Sequence, residues 1–317
     1  MSNPVLLTGG FGNIGGRLAA HLSNSKDIDL RLGSRSIRPT PQWAPQATTT
    51  QLDLLDVRSI ESAVSGIDTI IHLAALNDIE CASDPELAHE VNVVGTRNLV
   101  DCAACAGVHR IIYLSTVNVY GSPLAGRIDE SHPTLPTNPY AVTHLAAEKI
   151  VAGAHETGQL VGLRIRSANG FGAPMDPAVK IWQILVNDLC RQAVETRQLT
   201  LKSYGDQERN FVPLTDVCNA IAHLTRLDAN LAGDGLFNLG ADKSHSIWEM
   251  ANRIASRTEH ILGFKPPIIR PQKTDGSEPD HFEYRSDKIK NTGLTINAMI
   301  DDEIDGLLTF CAREFGK

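Results

Sequence analysis

An apolar run at residues 5–8, VLLT, empties directly into Thr8-Gly9-Gly10-Phe11-Gly12-Asn13-Ile14-Gly15, and helical spacing begins at Ile14. A buried strand, a turn with glycine at every third position and a helix, in immediate succession, leave few folds open. The first glycine permits the tight turn, the second lets backbone approach a bulky anion, and the third lets helix and strand pack closely. The helix start then faces that anion with its free N–H groups. Such a glycine pattern carries weight only between a strand and a helix, which is its setting here. The expected ligand is the pyrophosphate of a dinucleotide. The competing reading is a turn that serves packing alone.

The strand-and-helix rhythm repeats along the chain. Residues 28–32 alternate apolar and polar, and residues 67–73 (IDTIIHL) and 110–115 (RIIYLS) each follow a helical stretch. This order predicts an α/β fold of Rossmann type, a doubly wound parallel sheet with helices on both faces. Ligands of such sheets lie beyond the carboxyl ends of the strands. Residues 36–46 (SIRPTPQWAPQ) carry three prolines and read as a surface loop. After about residue 170 the rhythm turns irregular, with Pro- and Gly-punctuated segments through residues 263–279. That change predicts a smaller, mixed C-terminal domain. The 317 residues, 42% hydrophobic and 21% charged, suffice for two domains with buried cores.

An NAD-selective site usually places a carboxylate at the end of the second strand, on the adenosine ribose. This chain has Leu32-Gly33-Ser34-Arg35 there, with Arg38 close by. Ser34 and Arg35 suit a 2′-phosphate, which a carboxylate would repel. NADP is therefore favoured over NAD; the other reading makes Arg35 and Arg38 solvated loop residues and the cofactor NAD. The overall balance, 29 Lys and Arg against 37 Asp and Glu, is net −8 and argues against a nucleic-acid partner. No run approaches the roughly 18 apolar residues of a membrane span, so no membrane partner is expected. The opening MSNPVLLTGG lacks the basic and long apolar regions of a signal peptide. Cysteines stand at 81, 102, 105, 190, 218 and 311, and the single CxxC has no second pair to complete a metal site. They read as reduced, mostly buried thiols of a cytoplasmic chain.

Seven further motifs follow in order: LDLLD (52–56), IIHLAA (70–75), NVVGTRNLV (92–100), YLSTVNVYG (113–121), NPYAVTHLAAEKI (138–150), RSANGFGAP (166–174) and GDQERNFVPLTDV (205–217). With the glycine turn they resemble the extended short-chain dehydrogenases, the family of nucleotide-sugar epimerases, dehydratases and reductases, over roughly residues 5–240. The resemblance implies a dinucleotide-binding domain of residues 1–170 plus about 210–240. Residues 171–209 and 241–317 would form the substrate domain. It implies cofactor contacts from Gly9, Phe11, Gly12, Asn13, Ile14 and Gly15, with Asp53 and Leu54 flanking the adenine. Leu73, Ala74 and Ala75 would line the cofactor, Asn92 would lie in the helix behind it, and Ser115 and Ser167 would border the nicotinamide. Arg209 would hold the substrate diphosphate, and Asn169 would lie beside the sugar or phosphates. Many members dimerise through helices that correspond to residues 87–105 and 141–154, which makes a homodimer the expectation.

Hydride chemistry at a sugar carbon needs one group to move the hydroxyl proton and another to fix the oxygen. The resemblance gives these roles to Tyr140 and Thr116. In the family a lysine follows the tyrosine by four residues, binds the nicotinamide ribose and lowers the phenol pKa. Here that residue is His144, on the same helical face as Tyr140. Imidazole still hydrogen-bonds a ribose hydroxyl, but it is largely neutral at pH 7. Lys149, nine residues on from Tyr140, faces the opposite side. Three readings stay open: His144 as a weaker substitute, a basic residue from elsewhere, or a cofactor-binding scaffold with little turnover.

The family's 4,6-dehydratases carry an Asp-Glu pair where Val117 and Asn118 stand, and its GDP-fucose-synthase-like enzymes carry a cysteine at the second position. Neither chemistry has its groups here. What the resemblance leaves is C4 hydride transfer on a nucleotide sugar, as 4-keto reduction or 4-epimerisation, with the NADP preference tilting toward reduction.

Overall fold

A computed structural model describes residues 3–273 and 281–316. Seven parallel strands form the main sheet, in the order Leu236–Leu239, Val161–Ser167, Arg110–Thr116, Thr69–His72, Asn3–Thr8, Ile28–Ser34 and Thr48–Gln51. Residues of the first strand are buried on both faces. Val5 and Leu7 belong to one apolar core with Leu18, Ile112 and Ile221, whereas Leu6 belongs to another with Ile70, Leu99 and Val151. Continuous apolar runs, rather than alternating ones, are what a sheet covered on both faces requires. The doubly wound sheet expected from the sequence is present.

From the first strand the chain first builds outward to one side, then returns to build the other. Strand order therefore reverses between Asn3–Thr8 and Thr69–His72, the kind of switch point at which open α/β sheets bind ligands. Two helices start at this rim: Asn13–Leu22, the glycine-turn helix, and Pro139–Glu156, the tyrosine helix.

Four strands agree with the expected runs to within a few residues, and three were missed: Thr48–Gln51, Val161–Ser167 and Leu236–Leu239. Thr48–Gln51, TTTQ, is a short edge strand with no fully buried residue, so it carries no apolar signal. The proline-rich segment before it is less peripheral than a surface loop. Trp43 packs against the core, and Ala44 is buried within it.

A second, mixed assembly follows residue 168. Glu208–Pro213 pairs in parallel with Asn169–Phe171 and antiparallel with Ser244–Ser246. Helices Leu185–Glu195, Ile247–Leu262 and Ile300–Phe315 share a separate core that includes Phe171, Leu189, Phe211, Ile254 and Leu307. The punctuated stretch contains a short strand at Ile268–Ile269, and residues 274–279 lie outside the described residues. The main sheet and the second assembly are tied at the glycine-turn helix. Arg17 pairs with buried Glu303 at 2.9 Å and donates to the Ala173 carbonyl at 3.0 Å.

Candidate active site

The glycine turn is fixed by backbone geometry. Gly9 has φ +69°, and a Cβ there would stand 2.9 Å from the Ala74 nitrogen. A Cβ at Gly15 would stand 2.0 Å from the Gly9 carbonyl oxygen, so the helix can start this close to the strand only with glycine. Gly12 caps the helix without a side-chain hydrogen bond, and the first turn holds no acidic residue. Its N–H groups are thus available to an anion. Beside them the Asn13 side-chain oxygen is buried with no partner among the described residues, an acceptor for a ligand hydroxyl. These features fit a dinucleotide with its pyrophosphate at the helix start.

Facing this turn, residues 73–75 are held by a chain of hydroxyls and one imidazole. Thr8 Oγ1 accepts from the Leu73 and Ala74 N–H groups at 3.2 and 3.1 Å, so its own hydrogen turns to His72 Nδ1 at 2.8 Å. On the other side Thr96 gives its hydrogen to the Asn92 carbonyl, so it accepts from His72 Nε2 at 3.0 Å. Every group in this chain is paired when His72 is neutral. Burial pushes the His72 pKa down to about 3, with His144 adding to the shift.

At the adenosine end, Ser34 closes the second strand and Arg35 is exposed beside it, its guanidinium unpartnered among the described residues. Arg38 lies over the Phe11 ring at 5.0 Å, and Phe11 meets Trp43 edge-on. The proline-rich loop is folded back over the glycine turn by these contacts. Asp53 accepts from the Leu55 N–H at 3.0 Å, and Leu54 is buried beneath Gly95, within 2.7 Å of where a Cβ would stand. Asn92 spends its amide on the protein, accepting from the Leu76 N–H and donating to Thr143 Oγ1.

Catalytic candidates converge where the strand Arg110–Thr116 ends. Thr116 caps the short turn Val117–Tyr120, which ends at Gly121, where φ is +103° and a Cβ would stand 2.7 Å from the Leu135 carbonyl oxygen. The tyrosine helix starts at Asn138, whose side chain accepts from the Ala141 N–H, with Pro139 in the first turn. Tyr140 is therefore delivered in the first helical turn, near Thr116. Burial drives the phenol up to about 12, against the lowering influence of the Thr116 hydroxyl. His144 follows one turn later, its ring centroid 4.4 Å from that of Tyr140. It is buried, which lowers its pKa to about 4. Its Nδ1 pairs with the Tyr113 hydroxyl at 2.8 Å, and its Nε2 is buried without a partner among the described residues. Lys149 is exposed on the outer face.

Ser115 and Ser167 are both buried, with their hydroxyls already engaged. Ser167 donates to the Ala168 carbonyl, and Ser115 donates to Glu148 at 2.5 Å. Glu148 also takes a two-pronged ion pair from Arg166, with contacts of 2.7–3.1 Å. Arg166 in turn lies 4.7 Å over the Tyr120 ring. This network braces the floor beneath Thr116.

Asn169 and Arg209 line a neighbouring cleft of about 380 Å³ with Asp78, Asn118, Gln183 and Lys202. Asn169 donates to the Asn210 carbonyl, whereas Arg209 and Lys202 are exposed and have no partner among the described residues. Sequence reasoning overlooked Lys202, Tyr113 and Glu148. Only Lys202 carried a local clue, since it lies seven residues before Arg209 in one segment. The partners of Tyr113 and Glu148 come together only on folding. No helix among the described residues is long and apolar enough to cross a membrane.

Comparison with known proteins agrees with this fold. The chain is 28% identical over 297 residues to a UDP-glucose 4-epimerase of Streptomyces lividans, covering 88% of this chain and 87% of that protein. It superimposes on the UDP-glucuronic acid 4-epimerase of Bacillus cereus, solved with UDP-glucuronic acid and NAD, with a TM-score of 0.81 at 21% identity, covering 98% and 99% of the two chains. It superimposes likewise on RMD of Pseudomonas aeruginosa, complexed with NADPH, at 0.78 and 22% identity, again covering 98% and 99%. The family model for the NAD dependent epimerase/dehydratase family matches residues 5–240, and the chain belongs to that family.

Proposed function

We propose that the protein is an NADP-preferring oxidoreductase that reduces the C4 keto group of a nucleotide-linked sugar. The observation that carries this reading is that no cation among the described residues acts on Tyr140; the charged side chain that does, Asp78, is negative and disfavours the tyrosinate. The Tyr140 phenol stays protonated to about 12, and His144, where the family has a cation, is neutral above about pH 4. Reduction of a ketone requires a proton given to the oxygen, and a neutral phenol gives one. Oxidation of an alcohol requires the proton removed, for which this tyrosine is poorly set. The bound dinucleotide would supply the hydride. Thr116 would hold the reacting oxygen, while Val117 and Asn118 offer no acid–base pair for water elimination. Lys202 and Arg209 suit a diphosphate at the cleft, and Ser34, Arg35 and Arg38 suit a 2′-phosphate at the other end.

In this reading residues 1–170 and about 210–240 hold the dinucleotide. Residues 171–209 and 241–317 select the sugar nucleotide. The strand Leu236–Leu239 in the main sheet supports that division. We also infer a homodimer in the cytoplasm, paired through the outer faces of Gly95–Cys105 and the tyrosine helix. Val94 and Val142 are exposed there, around a groove lined by Val93, Arg97, Ala146 and Ile150. Light scattering should give the mass of two chains, reduced to one by Val94→Glu.

The test of function is consumption of NADPH and of NADH with 4-keto sugar nucleotides. Faster NADPH loss with a keto sugar supports the reading. Interconversion of C4 epimers with retained NAD would replace it by epimerisation, and dinucleotide binding without turnover would make the chain a scaffold.

A further inference from the structure

Tyr113 lies on the strand Arg110–Thr116, facing the core shared with the tyrosine helix, and its hydroxyl has no hydrogen-bond partner among the described residues except His144. A neutral imidazole has one N–H, so the pair can be arranged in two ways. If the proton is on Nδ1, it is donated to the Tyr113 oxygen. The phenol hydrogen and the Nε2 lone pair are then both buried without partners. If the proton is on Nε2, the phenol donates to Nδ1, and Nε2–H alone is unpaired. Buried polar groups without partners are costly, so the second arrangement wins by one unpaired group.

We propose that Tyr113 is a positioning residue that holds His144 as its Nε2–H tautomer, and that His144 thereby meets a ribose hydroxyl of the dinucleotide as an uncharged donor. The second half rests on the dinucleotide reading above. The groups around the imidazole are Tyr113 from the strand, Tyr140 from its own helix and His72 from the neighbouring strand. All are uncharged at neutral pH, and so is the ring itself, whose pKa burial holds at about 4. Where a lysine at this position would bring a charge as well as a donor, this arrangement brings the donor alone.

Nitrogen-15 NMR of histidine side chains reads the tautomer directly, with the His144 signals identified by their loss in His144→Gln. At pH 7 the wild type should show a protonated Nε2 and a bare Nδ1. Tyr113→Phe keeps the ring and the packing but removes the donor. It should shift the signals toward a tautomer mixture and weaken NADPH binding about three- to tenfold. A protonated Nδ1 in the wild type, or a spectrum unchanged in Tyr113→Phe, would overturn the assignment. NADPH titration separates the two claims. Binding that moves the amides of residues 12–15 but leaves His144 Nε2 unmoved defeats the donor role and spares the dinucleotide reading. No binding at all defeats both.

Discussion

Acidification from pH 7 to pH 5 should remove about 4 kcal/mol of stability through two histidines alone. An unfolded histidine titrates near 6.5, whereas folded His72 and His144 are lowered to about 3 and about 4. Between those values the unfolded chain carries protons that the folded chain refuses. Their contribution is therefore fully present above pH 6.5 and is lost as pH falls toward the folded values. Over 1.5 units, at about 1.4 kcal/mol per unit, each histidine gives up about 2 kcal/mol. The geometry supplies the reason for His72: a proton on Nδ1 would confront the Thr8 hydroxyl, which already accepts from Leu73 and Ala74. Urea unfolding at both pH values, for wild type, His72→Gln and His144→Gln, isolates the effect, since carboxylates titrate alike in all three. Each variant should lose about 2 kcal/mol less than wild type between pH 7 and pH 5. Equal losses in all three proteins would refute the reasoning.

Three other outcomes follow from named contacts. Glu148→Gln leaves the buried Arg166 guanidinium without a countercharge and should cost about 3–5 kcal/mol, seen as a drop of roughly 10 °C in melting midpoint; a loss under about 1 kcal/mol would show the pair to be idle. Gly15→Ala drives a methyl into the Gly9 backbone and should weaken dinucleotide binding at least about tenfold, whereas Gly153→Ala, mid-helix with open space, should raise stability by about 0.5–1 kcal/mol in thermal melts. If the cleft takes a nucleoside diphosphate as proposed, Arg209→Ala and Lys202→Ala should each weaken its binding about tenfold in calorimetry at low salt, with the difference shrinking as salt rises.

Four strands of the main sheet were legible because strands buried on both faces are largely apolar, and a glycine packed against backbone admits no substitute; Val161–Ser167, with buried Arg164 and Arg166, broke that pattern. Thr48–Gln51 was not legible, because a half-exposed edge strand of threonines has no apolar contrast to read. At the site, local order in the chain announced Tyr140 and His144, which share one helix face. Tyr113 stands 31 residues before His144, and Glu148 meets Ser115 and Arg166 across 33 and 18 residues. Such pairs depend on strand register and on the face a helix turns inward, which no short motif encodes. Ser115 likewise gives its hydroxyl to Glu148, a partnership that its motif does not announce.

Charge placement then links composition to chemistry. A chain of net −8 must pair or spend its cations locally to hold a polyanionic ligand, and several are already committed: Arg17 to Glu303, Arg166 to Glu148, and Arg110 to the carbonyls of Leu224 and Leu227. Those left facing the proposed ligand stand at its two ends, Arg35 and Arg38 beside the glycine turn, and Lys202 and Arg209 in the cleft. Between them the proposed reacting centre would be built from Thr116, Tyr140 and a histidine that burial keeps neutral. A cation there would favour the tyrosinate, the form that takes a proton from an alcohol. Its replacement by imidazole leaves the phenol, the form that gives a proton to a ketone. On the proposed reading, the substitution at position 144 thus shifts the relative maximal rates of the two directions, while the equilibrium stays fixed. Restoring the charge with His144→Lys should lower the Tyr140 pKa and raise the rate of alcohol oxidation relative to ketone reduction at pH 7. An unchanged ratio would mean that the charge at this position does not set the direction.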